Sequence, residues 1–332
     1  MREREGEAFM TDVAAPDLER TLEQHRAELT GYCYRMLGSS FEAEDAVQET
    51  LVRAWRSFDT FEGRAALRSW LYRIATNVCL DMLQSRKRRA LPMDLGPSSP
   101  GDVDAGPRLP ESLWLQPMPD GRALRPTDDP AELAESRESI RVAFVAALQH
   151  LPPRQRAVLI LREVLRWKAS EVAELLGTSV QSVNSALQRA RATLAASDLS
   201  GEPLQPEDEA QRTLLARYVD AFKRFDIESL VSLLHEDATM SMPPYDLWLH
   251  GADELRKWLL GAGSGCRGSR YAPVEANGSP AFAQWKRSES GAGHDAWAIH
   301  VLRLSDGRII GIDFFVDEKL FPLFDLPLRL ER

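Results

Sequence analysis

Cysteine is scarce in this chain: its 332 residues hold three, Cys33, Cys79 and Cys266, odd in number and nowhere at C-x-x-C spacing. That leaves no basis for a zinc or redox site, so the expectation is buried reduced thiols, no metal and no cofactor. Long apolar runs are missing too. No segment approaches the ~20 consecutive apolar residues that a membrane helix requires, and the charged start, Met1 to Glu7, is followed by no apolar stretch. A cytoplasmic protein without a membrane partner is expected. Nor is there an excess of positive charge: the net charge of −9 argues against a protein that coats nucleic acid by electrostatics alone. Any nucleic-acid contact must come from local charge. No internal repeat is visible. What remains, 44% hydrophobic and 27% charged residues, is ordinary globular composition, and the length predicts two or three separate cores.

Helical periodicity dominates the first two hundred residues. Leu18, Leu22, His25, Leu29, Cys33 and Met36 share one face at steps of three and four, which predicts an amphipathic helix. After Gly38, Ser39 and Glu42 suit a capping box for a second helix, with buried stripe Val47, Leu51, Ala54 and Phe58. A third stripe runs through Leu67, Leu71, Ile74, Val78 and Met82 and ends in Arg86 to Arg89. Residues 1–17 are read as a flexible N-terminus, 18–90 as a three-helix domain, and 91–129, rich in Pro, Gly, Ser and Asp, as a linker in which Trp114 and Leu115 are free to dock. Helices resume at Asp129–Pro130, an N-cap before proline at the first helical position, and residues 130–198 form the second domain.

The most mechanistic segment is Glu171 to Leu194. Val172, Ala173, Leu175 and Leu176 give a short helix an inner face, Gly177 suits a left-handed turn, and Ser179 suits the cap of a following helix that buries Val183, Leu187, Ala190 and Leu194. The outer face of that helix carries Gln181, Ser182, Asn184, Ser185, Gln188 and Arg189, with Arg191 close by. Amide side chains pair bidentately with adenine, and arginine with guanine or phosphate, so the face suits a major groove. A solvated helical hairpin would look alike. Between Leu148 and Asp198, however, seven basic residues (Arg154, Arg156, Arg162, Arg166, Lys168, Arg189, Arg191) face four acidic ones (Glu163, Glu171, Glu174, Asp198), a basic patch inside an acidic chain. In the first domain, Arg64, Arg68 and Arg73 interleave with Phe61, Trp70 and Tyr72. Rings beside cations can receive unstacked bases; equally, Trp70 can be core and the arginines solubilising.

Taken together, Ala43 to Thr50 (AEDAVQET), Arg53–Ala54–Trp55 and Leu67 to Asp81 (LRSWLYRIATNVCLD) resemble the second conserved region of extracytoplasmic-function sigma factors. Leu151 to Arg156 (LPPRQR) and Val172 to Arg191 resemble their fourth region. The resemblance spans about residues 20 to 195 in the right order and implies a subunit that lends promoter recognition to RNA polymerase. It implies that Asp45, Gln48, Glu49 and Val52 dock on the β′ subunit of the core enzyme, of which the β subunit is a further partner. It implies that Phe61, Arg64, Arg68, Trp70, Arg73 and Asn77 open and read the minus-ten element of promoter DNA. Gln181, Ser182, Asn184, Ser185, Gln188, Arg189 and Arg191 would then read the minus-thirty-five element. The chain departs from the family at Lys168, where a capping serine is common, and at Asn184 and Ala186, where many members are basic; these differences bear on which upstream sequence is read.

From about Gln205 the pattern changes. Two helical stretches (Leu214 to Phe225, Ile227 to Leu234) precede strand-like runs, a helix near Leu255 to Leu260, and a hairpin from Trp297 to Val316 turning at Asp306–Gly307, a pair suited to a type I′ turn. Residues 205–332 resemble the SnoaL-like branch of the NTF2-like fold, a sheet curled around helices. The expected architecture is therefore multidomain: all-α region 2 and region 4 units plus an α+β cone. In sigma factors that carry it, the cone is thought to tune activity within the chain, which implies an intramolecular contact with the sigma core. Tyr245, His250, His300 and Asp313 are candidate pocket residues, and Asp313 is expected on one face with Ile309, Gly311 and Phe315. A catalytic role is not expected, because fold analogy does not carry function. The competing readings are a polymerase-independent DNA-binding regulator and a pocket enzyme fused to a DNA-binding module.

Overall fold

The apolar stripe from Leu18 to Met36 folds as two helices, α1 (Ala15–Glu23) and α2 (Arg26–Leu37), with a turn at Gln24 and His25. Arg26 reaches back across the break to the Glu23 carboxylate at 2.5 and 2.6 Å. Gly38, at φ +69°, ends α2 in the left-handed conformation that glycine adopts without steric cost. Ser39 then caps α3 (Ser40–Ser57) by accepting the Glu42 N–H at 3.2 Å. With α4 (Leu67–Leu83) these helices bury Leu29, Cys33, Met36, Val47, Leu71, Val78 and Cys79 in one core. The protein is described here from a computed structural model that places residues 15–61, 66–84, 88–127, 129–196 and 208–331. The N-terminal segment 1–14, Arg64, Arg86, Lys87 and the connector 197–207 lie outside the described residues.

The stretch between the helical units is packed along the protein. Leu91, Trp114, Leu115, Met118 and Leu124 are buried, and Leu115 N–H bonds to Ala90 C=O at 3.1 Å. After a short α5 (Asp120–Ala123) the second helical unit comprises α6 (Pro130–Glu138), α7 (Val142–Gln149), α8 (Pro153–Leu159), α9 (Ala169–Leu175) and α10 (Val180–Leu194). Asp129 caps α6 through the Ala131 N–H at 2.9 Å, with Pro130 at the first helical position.

The C-terminal domain begins with α11 (Glu209–Arg224) and α12 (Ile227–Val231), followed by β1 (Leu234–Ser241), β2 (Trp248–His250), α13 (Ala252–Leu260), β3 (Arg270–Ala276), β4 (Ser279–Arg287), β5 (His294–Ser305), β6 (Arg308–Phe315) and β7 (Arg329–Leu330). The sheet runs β2-β1-β6-β5-β4-β3, with β7 paired to β5. All pairs are antiparallel except β1 with β6. Asp306 and Gly307, both at positive φ, close the β5–β6 hairpin.

Both faces of this sheet are covered. Met240, Phe282, Leu302, Ile312 and Phe314 pack inward with α11 and α13, while Ala281, Ala283, Trp285, Ile299, Val301 and Phe315 join the same buried cluster as the two helical units. A register shift between β5 and β6 leaves Ile310 as an extra residue opposite Arg303 and Leu304. It turns Ile309 to the inner face, away from Gly311, Asp313 and Phe315, so strict alternation fails there.

Candidate polymerase and nucleic-acid interface

α3 buries Ala43, Ala46, Val47, Thr50 and Ala54. The opposite side therefore presents Asp45, Gln48 and Glu49 to solvent, with Val52 half-buried at its edge. Glu49 pairs with Arg53 at 2.7 Å one turn along. Beside this acidic strip Trp55 is 57% exposed, lining a groove of about 590 Å³ with Leu22, Leu51 and Val52. Trp55 is absent from the expected docking residues. Its position, three beyond Val52 and off the Val47–Leu51–Ala54–Phe58 stripe, was the available signal. An exposed ring next to carboxylates suits a partner that offers both cations and apolar surface.

α4 is placed differently. Phe61 lies 4.9 Å from Trp70 and 5.9 Å from Phe58, ring centre to ring centre, a small aromatic group at the helix start. Asn77 is exposed. The arginines are engaged: Arg68 donates to the Glu28 carboxylate at 2.9 Å and lies over the rings of Tyr72 and Trp167, at 5.3 and 5.8 Å. Arg73 stands 3.5 Å from Glu174 of α9. Trp167 and Glu174 belong to the second helical unit, and Trp167 meets Tyr72 edge-on at 5.2 Å.

α9, the turn at Gly177 (φ +60°) and α10 form the helix-turn-helix. Ser179 accepts the Ser182 N–H at 3.1 Å as the cap of α10. At α9 only half a capping box forms, since Lys168 has no acceptor to offer: its backbone N–H donates to Glu171 at 2.6 Å. α10 buries Val183, Leu187 and Ala190 and exposes Gln181, Ser182, Asn184, Ser185, Gln188, Arg189 and Arg191. Arg191 pairs with Glu163 at 2.7 Å.

Several basic residues of the two helical units are held by other parts of the chain, among them Arg156 of the basic patch. Arg156 is buried and donates to Gln149 Oε1 at 2.6 Å, to Leu151 C=O at 3.1 Å and to Met36 C=O, tying the two helical units. Burial pushes its pKa down to about 10. Arg89, likewise buried, is held by Glu42 and the Trp114 carbonyl at 2.5 Å each, and Arg88 bonds to His150 Nδ1 at 2.8 Å. The side chains that satisfy buried carbonyls cannot also reach phosphate.

The four candidate pocket residues do not share a pocket. His300 is fully buried inside the cone, its ring nitrogens 3.0 Å from Tyr218 Oη and 2.6 Å from Gln284 Oε1. Burial holds its pKa down at about 3. Tyr245 lines a cavity of about 530 Å³ against the interdomain stretch, with Trp114 and Trp297. His250 and Asp313 line a different cleft, on the outer face of the sheet.

A residue the sequence reading passed over joins the whole assembly. Asn277, at the tip of the β3–β4 hairpin, is 0% exposed. Its amide donates to Tyr34 Oη and Ile140 C=O, both at 2.7 Å, and accepts the Met118 N–H at 2.9 Å. Next to it, Gly278 N–H donates to Asp120 at 2.8 Å. Asn277–Gly278, both at positive φ, is the dipeptide that favours a type I′ hairpin turn, and that was its signal.

These placements agree with what the chain resembles. Models of Sigma-70 region 2, Sigma-70 region 4 and the SnoaL-like domain match residues 21–89, 141–194 and 215–312. The chain is 45% identical over 332 residues to the ECF RNA polymerase sigma factor SigG of Mycobacterium tuberculosis, covering 95% of this chain and 85% of that one. It is 30% identical over 244 residues to SigJ of the same species, covering 71% and 70%. The fold matches the crystal structure of M. tuberculosis SigJ with a TM-score of 0.57 at 22% identity, over 95% of this chain and 100% of that one. The chain belongs to the extracytoplasmic-function sigma factors of the sigma-70 family, with a SnoaL-like domain fused at its C-terminal side.

Proposed function

We propose that this sigma factor, which directs RNA polymerase to promoters for transcription initiation, is held closed by its own C-terminal domain and must open before it engages a full promoter. The observation that carries this reading is Asn277, whose amide bonds at once to region 2 (Tyr34), the interdomain stretch (Met118) and the start of region 4 (Ile140). A buried amide with its bonds satisfied is costly to withdraw unless all three partners find others. Geometry supports the need to open. Minus-ten and minus-thirty-five elements lie roughly 25 base pairs apart, about 85 Å at 3.4 Å per pair, whereas α4 and the helix-turn-helix touch at Arg73 and Glu174. In the open form, Asp45, Gln48, Glu49 and Val52, with Trp55 beside them, dock on the β′ subunit. The α4 face reads the minus-ten strand and α10 the minus-thirty-five duplex.

The C-terminal domain acts in this reading as a clasp and not as a catalyst. Supporting that, His300 is fully buried and both its ring nitrogens are held by Tyr218 and Gln284, which leaves neither free to take or give a substrate proton. Absence of any described helix long and apolar enough to cross a membrane fits work on chromosomal DNA.

Gly278→Val tests the clasp. A Cβ there would stand 2.4 Å from the Arg137 carbonyl oxygen, and φ is +59°, so the hairpin tip cannot seat, while the domain's inner core is untouched. Promoter-specific transcription at limiting core polymerase should rise and α4 amides should exchange faster. Unchanged transcription at every core concentration, with α6 amides showing the hairpin displaced, would refute the clasp.

A further inference from the structure

Between the outer face of the C-terminal sheet and region 4 lies a cleft of about 640 Å³ that nothing in the polymerase reading uses. Its most buried polar group is Asp313 on β6, 1% exposed. One carboxylate oxygen accepts the Ser241 hydroxyl at 2.6 Å; the other has no hydrogen-bond donor among the described residues. Arg303 lies across Gly311, where a Cβ would collide with its guanidinium, and donates to Thr239 at 2.5 Å. Its Nε is 3.8 Å from the free Asp313 oxygen, close enough to balance charge but too far to bond. The facing wall is mostly apolar, with Val142, Ala143, Ala146 and Ala147 of α7 beside Leu91 and Met93, and its polar groups Asp94 and His150 are paired with each other at 3.1 Å.

A buried carboxylate oxygen without a donor is costly, and ligand sites place such groups in mostly apolar clefts of roughly 300–1,000 Å³. Because Arg303 already balances the charge of Asp313, a second cation would be repelled by Arg303. The missing group is a neutral donor. From the apolar facing wall the rest of the ligand must be hydrocarbon. We propose that this cleft binds a small, largely apolar neutral alcohol or phenol, its hydroxyl donating to Asp313 and its body packed on α7. The two walls come from different domains, so the site exists only while the sheet lies against region 4. The proposal concerns binding alone and does not rest on the clasp regulating transcription.

Calorimetric titration of the full chain with 2-naphthol tests it, with 2-methoxynaphthalene, which keeps the ring and loses the donor, as comparator. 2-Naphthol should bind saturably and the ether at least about tenfold more weakly, the usual consequence of leaving a buried acceptor unpaired. Asp313→Asn, which can turn an amide N–H toward the ligand, should weaken 2-naphthol by a similar factor. Ala146→Trp fills the opposite wall from another domain and should abolish binding. That variant keeps the Asp313–Ser241 bond and every residue of the sheet, so it decides the question should Asp313→Asn not fold. No saturable binding up to millimolar 2-naphthol would mean that water alone serves Asp313 and would overturn the proposal. Binding that is equal for the two compounds, or indifferent to Ala146→Trp, would place the ligand elsewhere and overturn it as well.

Discussion

The two helices proposed to face DNA are treated oppositely by the rest of the chain. α10 presents Gln181, Asn184, Ser185, Gln188 and Arg189 outward, while α4 has Arg68 bound to Glu28 under the Trp167 ring and Arg73 beside Glu174. The proposed duplex-reading face is exposed, whereas Arg68 and Arg73 of the proposed single-strand face lie against Trp167 and Glu174 of region 4. The contrast follows from what each recognises. A preformed duplex needs only a helix held at the right angle, whereas unpaired bases appear after strand separation, which costs a few kcal/mol per flipped base. On the clasp proposal, holding Arg68 and Arg73 against region 4 would keep these cations from single strands until the polymerase is in place.

Variants of the two faces and of the contact between them sharpen this contrast. The largest effect is expected on the surface open in both states: Asp45→Arg with Glu49→Arg should abolish core polymerase binding, since both side chains lie off the buried stripe of α3. A pull-down with undiminished affinity and an unchanged circular dichroism spectrum would remove that docking face. On α10, Arg189→Ala or Gln188→Ala should weaken upstream duplex recognition by roughly 1–3 kcal/mol, measured by binding of matched and mismatched duplexes. Arg191→Ala should lower salt dependence instead, and less than a free phosphate contact would, because Glu163 already holds that guanidinium.

A smaller effect is expected at the clasp. Burial pushes Asp120, which accepts the Gly278 N–H, up to about 6. Its carboxyl in solvent titrates near 3.9. The closed form thus takes up a proton that the open form lacks between those values, so closure is strongest below pH ~4 and weakens as pH rises through about 6, by at most about 3 kcal/mol. The protection of α4 amides, taken relative to their pH-dependent intrinsic exchange rate, should fall over that range, and Asp120→Asn should flatten that profile. A flat profile in the native chain would remove Asp120 from the clasp. The smallest effect belongs to Glu174→Gln. The Arg73–Glu174 pair is exposed on both sides, so releasing it should improve single-strand binding by only about 0.2–1 kcal/mol in a fluorescence anisotropy titration. A gain as large as that of Gly278→Val would mean that the pair, and not the hairpin, keeps α4 covered.

Much of this was legible in the residues themselves. Local chemistry decides a cap or a turn, so Ser39, Asp129 and Ser179 cap where the sequence places them, and Gly177 and Asp306–Gly307 turn as their φ requires. Apolar spacing decides which side of α3 and α10 faces out, because a helix with one apolar stripe has one way to bury it. Tertiary structure alone decided what the outward and polar groups meet. Arg68, Arg89 and Arg156 look alike in sequence, yet one stacks on another domain's tryptophan and two brace buried carbonyls. His300 and Asp313 lie on neighbouring strands, yet one faces the cone's interior and the other the cleft against region 4. Asn277–Gly278 announces a turn, but nothing in the dipeptide says that its amide closes on residues 243 and 137 positions away. A side chain's rotamer and spacing are local properties, whereas its partners are set by which surfaces the chain brings together. That depends on the sum of all the cores at once.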